Sequence, residues 1–151
     1  MDELDIKILK ELHKNGRATY VELKRKLGVE DTTIRKRILK MEKEGIIEGY
    51  TVKINPEALG YTITSFIGIK SEPKLTEYVA KKVSEVKGVF DVVVATGPYD
   101  MIVYVICKNM TELGDIVSML KKIEGVEEVD VNIAVKWIKK NGNFIFGYKE
   151  S

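Results

Sequence analysis

Residues 79–94 read VAKKVSEVKGVFDVVV, and residues 116–131 read IVSMLKKIEGVEEVDV. Val79, Val83, Val86, Gly88, Val89, Val92 and Val94 recur as Ile116, Leu120, Ile123, Gly125, Val126, Val129 and Val131, at a constant offset of 37 residues. Each copy holds apolar residues at helical spacing, then a Gly-Val turn, then an outgoing strand. An internal duplication of this kind constrains the topology more than any single segment does.

A strand leads each copy. YTITSFIGIK (residues 61–70) puts Tyr61, Ile63, Ile67 and Ile69 on one face, and Pro73 suits the first turn of the helix that follows. VFDVVVATG and DMIVYVICK read as strands joined by a tight turn at Pro98-Tyr99. TELGDIVSMLKKIEG is a helix, and EVDVNIAVKWI a final strand with Val129, Val131, Ile133, Val135 and Trp137 on one face. Two such copies make a βαββαβ ferredoxin-like sandwich. Val92 and Val94 alternate with Val93 and Ala95, and Ile102, Tyr104 and Ile106 with Met101, Val103 and Val105, so these strands are apolar on both faces. Helices cover only one face of such a sheet, and an apolar patch of that size is rarely left wet. The expectation is a homodimer formed through the sheets.

The first 50 residues read differently, as helices. Leu4, Ile8, Leu9 and Leu12 recur at helical spacing up to Asn15-Gly16. Thr19 is the expected N-cap of a short second helix containing Leu23 and Leu27, with Gly28 as its left-handed end. A third helix, capped by Asp31 or Thr32, is expected to run to Gly45 on a core stripe of Ile34, Ile38 and Met41. IIEGYTVKI (residues 46–54) then suits a short hairpin, or wing, around Gly49, and NPEALG (residues 55–60) a linker. The expected organisation is α+β: a winged helix-turn-helix domain over residues 1–54, a linker over 55–60, a ferredoxin-like domain over 61–139, and a tail over 140–151.

The third helix, DTTIRKRILKMEKEG (residues 31–45), carries the functional signal. At about 100° per residue, Thr32, Lys36, Lys40 and Lys43 lie opposite the core stripe, with Thr33 and Arg35 on the flanks. Short hydroxyl residues at its start can approach base edges, and the longer cations can reach bases or phosphates. A helix about 10 to 12 Å across fits a major groove about 12 Å wide. Exposed helical faces are also basic for solubility alone. Residues 24–43, however, hold eight cations against the three anions Glu30, Asp31 and Glu42, a less even mixture than a solvated face usually shows. Arg37 lies near the core edge and suits either a phosphate contact or a brace within the domain.

The rest of the composition excludes other classes. The net charge is +2, so any affinity for a polyanion must come from how charge is distributed. One cysteine, Cys107, cannot form an internal disulfide, and the N-terminus lacks the basic start and apolar run of a signal peptide. No stretch reaches the roughly 20 apolar residues of a membrane span. A cytoplasmic protein without membrane association is expected. There is no Cys/His cluster, Ser-His-Asp set or P-loop, so no metal, cofactor or catalytic residue is expected. Absence of glutamine, with abundant Lys, Glu, Ile and Val, is the bias of hyperthermophile proteins.

LDIKIL, RKRILKMEKEGII, NPEALG and Thr96-Gly97 followed by Asp100 closely resemble the Lrp/AsnC (leucine-responsive, feast/famine) transcriptional regulators, and the resemblance runs almost to Lys139. It implies double-stranded DNA as partner, sheet-mediated dimers that often assemble further, and an amino-acid effector between subunits. By position it implies DNA contact by Thr32, Thr33, Arg35, Lys36, Lys40 and Lys43, with Arg37 at a phosphate or as a brace. It also implies an effector site at Thr96, Gly97, Tyr99 and Asp100. Asp100 would accept from the ligand ammonium and the Gly97 turn would bind its carboxylate, although Gly-Pro and Asp also suit a tight turn by themselves. Glu30 and Asp31 depart from the family by placing negative charge beside the DNA-facing end. The tail, with Phe144, Ile145, Phe146 and Tyr148, suits an added edge strand or a contact with another dimer.

Two other readings compete with a site-specific regulator. An architectural DNA-wrapping protein without effector would share every feature above except sequence preference. The siroheme decarboxylases share the architecture, but would be expected to place histidine or arginine in the C-terminal cavity. This chain has only His13, in the first helix, and no arginine after Arg37.

Overall fold

A computed structural model describes residues 1–140 and Ile145. The chain forms two compact units, Met1–Lys53 grouped with the chain from Lys139 onward, and Ile54–Ile138.

The first unit is built from α1 (Glu3–Lys14), α2 (Tyr20–Leu27) and α3 (Asp31–Lys43). Their ends are set locally. Asp2 caps α1 in a reciprocal capping box with Asp5, and Thr19 caps α2 in another with Glu22. Gly28 closes α2 at φ 67°, as expected. α3 begins one residue earlier than expected: Glu30 occupies the cap without a side-chain bond, and Asp31 is already helical. At its other end the Gly45 amide donates to the Glu42 carbonyl (3.1 Å) and the Ile46 amide to the Met41 carbonyl (2.8 Å). Gly45 has φ 75°, so this is a Schellman ending, which a glycine accommodates without strain. Ile8, Leu23, Ile34, Ile38 and Met41 form the core of the unit.

A salt bridge ties α3 to α1. The Arg37 guanidinium donates to the Asp2 carboxylate and, at 3.3 Å, to the buried Asp5. Arg37 thus braces the domain through Nη1, which serves both carboxylates.

The hairpin expected in residues 46–54 is not formed; no strand is present there. Two short strands with no third to join are marginal in water. The segment has no regular structure after its opening bend and is tied to α3 where the Tyr50 hydroxyl donates to Glu42 Oε1 at 2.7 Å. Burial first, and then that hydrogen bond, push the Tyr50 phenol up to about 12.

The second unit has strands β1 (Ile63–Ser71), β2 (Val89–Val94), β3 (Met101–Cys107) and β4 (Val126–Ile133), with α4 (Thr76–Ser84) and α5 (Met110–Lys121). All pairs are antiparallel, in the order β2-β3-β1-β4. Ile67, Ile69, Met101, Val103 and Val105 face Val79, Val83, Ile116 and Leu120 across a dry core. The duplication is visible as an exchange of contacts. A Cβ on Gly88 would lie 2.8 Å from Ile116 Cδ1 on α5, and one on Gly125 would lie 3.0 Å from Val79 Cγ2 on α4. Each glycine turn of one copy is thus seated against the helix of the other.

Two expectations fail at the C-terminal end. β4 stops at Ile133: the Ala134 amide still donates to the Thr64 carbonyl, and the chain then leaves β1 although that strand continues to Ile63. Val135 is 97% exposed, and Trp137 lies near Phe66, on the sheet face away from the helices, with ring centroids 5.8 Å apart. Ile145 is helical and buried rather than part of an edge strand, while Phe144, Phe146 and Tyr148 lie outside the described residues.

The brace makes the first unit acid-sensitive in a defined window. Chiefly through the hydrogen bond from Arg37, the Asp2 carboxyl falls from 3.8 to about 2. A depressed folded value gives stability that is complete above the unfolded value and is lost as pH falls through the folded one. Thermal melts between pH 5 and pH 2 should show the wild-type chain losing more stability below about pH 4 than Asp2→Asn. Parallel curves would separate the brace from acid unfolding.

Candidate nucleic-acid interface and effector loop

α3 offers an exposed basic face, interrupted by Leu39. Thr32, Arg35, Lys36, Lys40 and Lys43 are exposed, while Thr33 is half-buried beside the core stripe. Lys40 lies 3.9 Å from Glu44. Among the described residues no carboxylate pairs with Arg35, Lys36 or Lys43. The Arg35 guanidinium lies over the Tyr20 ring, 4.7 Å from its centroid. Lys24 on α2 meets Glu30 at 3.0 Å, and that hydrogen bond is the main cause of its raised pKa. This pairing moderates the negative charge at the start of α3. Asp31, in the first helical turn, favours the helix dipole.

Two features of this face were not drawn from the sequence. Leu39 stands 54% exposed, one turn from both Lys36 and Lys43; helical spacing alone could have placed it there. Tyr20 reaches Arg35 across two helices, and no local signal marks that contact.

The second set of expected residues lies in the connection between β2 and β3, which is longer than the tight turn anticipated. The Ala95 amide donates to the Asp100 carbonyl at 3.0 Å, enclosing residues 96–99. Thr96 and Gly97 are exposed, with Gly97 at φ 117°. Asp100 is an anchor: its amide donates to the Ile69 carbonyl (2.9 Å), and its Oδ2 accepts from the Ser71 amide (2.8 Å). One carboxylate oxygen is therefore spent on β1, the turn-holding role that an aspartate here can also play.

Tyr99 folds back over the sheet face that the helices leave bare. An added Cβ on Gly68 would lie 2.6 Å from the Tyr99 ring, so the strand needs glycine for this close approach. The hydrogen bond to Asp130 is the largest cause of the raised Tyr99 pKa, and Lys70 stands 5.9 Å from the ring centroid. The same face carries Phe66 and Tyr104, 5.0 Å apart edge to face, and Phe90, 5.9 Å from Tyr104. Val93 and Phe90 are 46% and 52% exposed. Tyr99 thus joins the connection to an apolar surface that no helix of the domain covers.

Gly68→Ala should displace Tyr99 and cost about 1–3 kcal/mol, as overpacking does. Urea unfolding in a double-mutant cycle checks the cause: in a Tyr99→Ala background the same substitution should cost little. An equal penalty in both backgrounds would locate the strain elsewhere.

Comparison with known proteins accounts for both units. Residues 1–48 match the family described as winged helix-turn-helix DNA-binding, and residues 64–144 match the Lrp/AsnC ligand binding domain. The chain is 35% identical to the HTH-type transcriptional regulator LrpA of Pyrococcus horikoshii, over 92% of this chain and 99% of that protein. It is 37% identical to the HTH-type transcriptional regulator FL11 of Pyrococcus furiosus, over 90% of each. These hyperthermophile relatives fit the compositional bias. Among solved structures, Escherichia coli AsnC superimposes with a TM-score of 0.88 at 28% identity, covering 95% of this chain and 97% of that one. A transcriptional regulator from Neisseria meningitidis, solved as its L-Met complex, superimposes with a TM-score of 0.87 at 27% identity, covering 92% of each chain. With a helix-turn-helix unit, a ligand-binding ferredoxin-like unit and relatives matched over nearly their whole length, the chain belongs to the Lrp/AsnC family of transcriptional regulators.

Proposed function

We propose that this chain is a cytoplasmic, non-catalytic regulator that binds particular operator sequences through α3 and responds to an amino acid. The observation that carries the reading is the unpaired basic face of α3, mounted on helices whose ends are capped and whose core is closed. Arg35, Lys36 and Lys43 have no carboxylate partner among the described residues, so their charge is free for a polyanion. Thr32, Thr33, Arg35 and Lys36 serve base edges, and Lys40 and Lys43 serve phosphates.

The active unit is a homodimer formed through the bare sheet faces, which then assembles further. Phe66, Phe90, Val93, Ile102 and Tyr104 supply the apolar surface that a second copy would bury. Two α3 helices then meet half-sites about one helical turn, roughly 34 Å, apart or a multiple of it. The segment 46–54 adds exposed Tyr50, Val52 and Ile54 to the surface available for assembly.

The effector is an amino acid, as in the L-Met complex of the Neisseria relative, held between subunits at the 95–100 connection. Thr96 and the Gly97 backbone are open to receive it, whereas Asp100 has one oxygen left. Since Tyr99 lies between that connection and the bare face, an occupant there acts on assembly. It changes DNA affinity by favouring one assembly over another.

The deciding experiment is a salt-dependent titration on a duplex from upstream of the protein's own gene and on its shuffled counterpart. A preference that persists near physiological salt is expected. Equal affinity that fades steeply with salt would replace this reading with architectural wrapping, and no binding at low salt would remove DNA altogether. In the same assay Thr33→Ala and Lys36→Ala should narrow the preference, whereas Lys43→Ala should weaken both duplexes alike.

Assembly has its own test. Phe90→Glu places a charge on the bare face at a half-exposed position, so the domain should still fold while its sedimentation mass drops to that of a monomer. Unchanged mass would place the dimer contact on another surface.

A further inference from the structure

Two arginines on α3, two residues apart, have been given opposite kinds of partner. Arg37 directs Nη1 at the Asp2 and Asp5 carboxylates, an ion pair within the domain. Arg35 instead lays its guanidinium over the Tyr20 ring at 4.7 Å, with no ion pair among the described residues. A contact with an aromatic ring holds the guanidinium without giving its donors a carboxylate acceptor, and those donors form the rigid fork that recognises bidentate acceptors.

The support under that fork is itself fixed. Tyr20 opens α2 directly after the Thr19 cap and packs against the core of the unit. The ring therefore cannot swing freely, and Arg35 is held in the second turn of α3, in the half of a recognition helix that meets base edges. The lysines of the same face have no such support and suit phosphates, where a point charge on a flexible stem suffices.

From this geometry we infer that Tyr20 is a positioning residue, holding Arg35 for bidentate recognition of a guanine in the major groove. The preferred half-site then carries a guanine where Arg35 reaches, through the O6 and N7 acceptors. This rests on the reading of α3 as a DNA-binding helix and adds to it the base that the helix reads and the residue that aims the reader.

The test is a binding selection by the full-length chain from a pool of randomised duplexes, sequenced for the wild type and for Arg35→Ala, Arg35→Lys, Tyr20→Leu and Tyr20→Phe. The wild type should enrich a motif with one strongly preferred guanine per half-site. Arg35→Ala and Arg35→Lys should flatten that position alone, the second while keeping the charge. Tyr20→Leu keeps an apolar body without the aromatic face, and should reduce the guanine preference about three- to tenfold with the other positions retained. Tyr20→Phe should restore it.

A guanine preference untouched by Tyr20→Leu would overturn the inference, as would a uniform loss at every position that Tyr20→Phe does not repair. An Arg35-dependent position occupied by another base would overturn it too. Should Tyr20→Leu fail to fold, the two Arg35 variants still decide whether that side chain reads guanine, and Tyr20→Met, an unbranched apolar side chain without an aromatic face, takes its place with the same expected loss. A wild-type chain that enriches no motif removes site-specific binding, and this inference with it. A motif indifferent to Arg35 and Tyr20 removes this inference alone.

Discussion

A four-stranded sheet has two faces, and the second unit of this chain has only α4 and α5 with which to cover them. Both helices lie on one side, against Ile67, Ile69, Met101, Val103 and Val105. The other side keeps Phe66, Phe90, Val93 and Tyr104, with Tyr99 and Trp137 laid over part of it. An apolar surface of this kind is rarely left wet. The proposed pairing of copies, and with it the proposed effector position and reader spacing, rests on this imbalance.

The first unit answers a different demand, which is to keep one face of α3 chemically free. Its core faces inward in the usual way, but its charges are sorted more finely. Arg37 is paired with Asp2 and Asp5, and Lys24 is drawn to Glu30. Arg35 is supported without being neutralised. Of the other cations on the helix, Lys36 and Lys43 have no carboxylate partner among the described residues, and Lys40 lies 3.9 Å from Glu44.

Much of this was readable from the residues because it is local. Thr19 and Gly28 bound α2 where their chemistry says they should, and the 37-residue repeat carried the topology of the sheet. What the residues do not show depends on distant partners. The alternation of Val129, Val131, Ile133, Val135 and Trp137 continues past Ile133, where the chain leaves β1. The wing was expected from strand-forming residues that find no third strand. Arg37 could be left only between two roles, since Asp2 and Asp5 are more than thirty positions away. The bond from the Ser71 amide to Asp100 Oδ2 is hidden in the same way, since Ser71 lies on another strand, and it leaves the second carboxylate oxygen open. The start of α3 was missed by one residue because Glu30 makes no side-chain cap bond for a motif to reveal.

The exchange of seats between Gly88 and Gly125 also bears on how the domain comes into being. Each glycine turn closes only against a helix supplied by the other copy, so neither repeat can complete its own structure in isolation. In arrays such as solenoids, repeats are added one after another and each gains stability from its neighbour. Here the two repeats are mutual templates, and the unit must form in a single cooperative event dominated by long-range contacts. Such topologies reach the native state more slowly than helical bundles of similar size. The helix-turn-helix unit has helix ends bounded by caps that neighbouring residues supply, so more of its structure is specified locally.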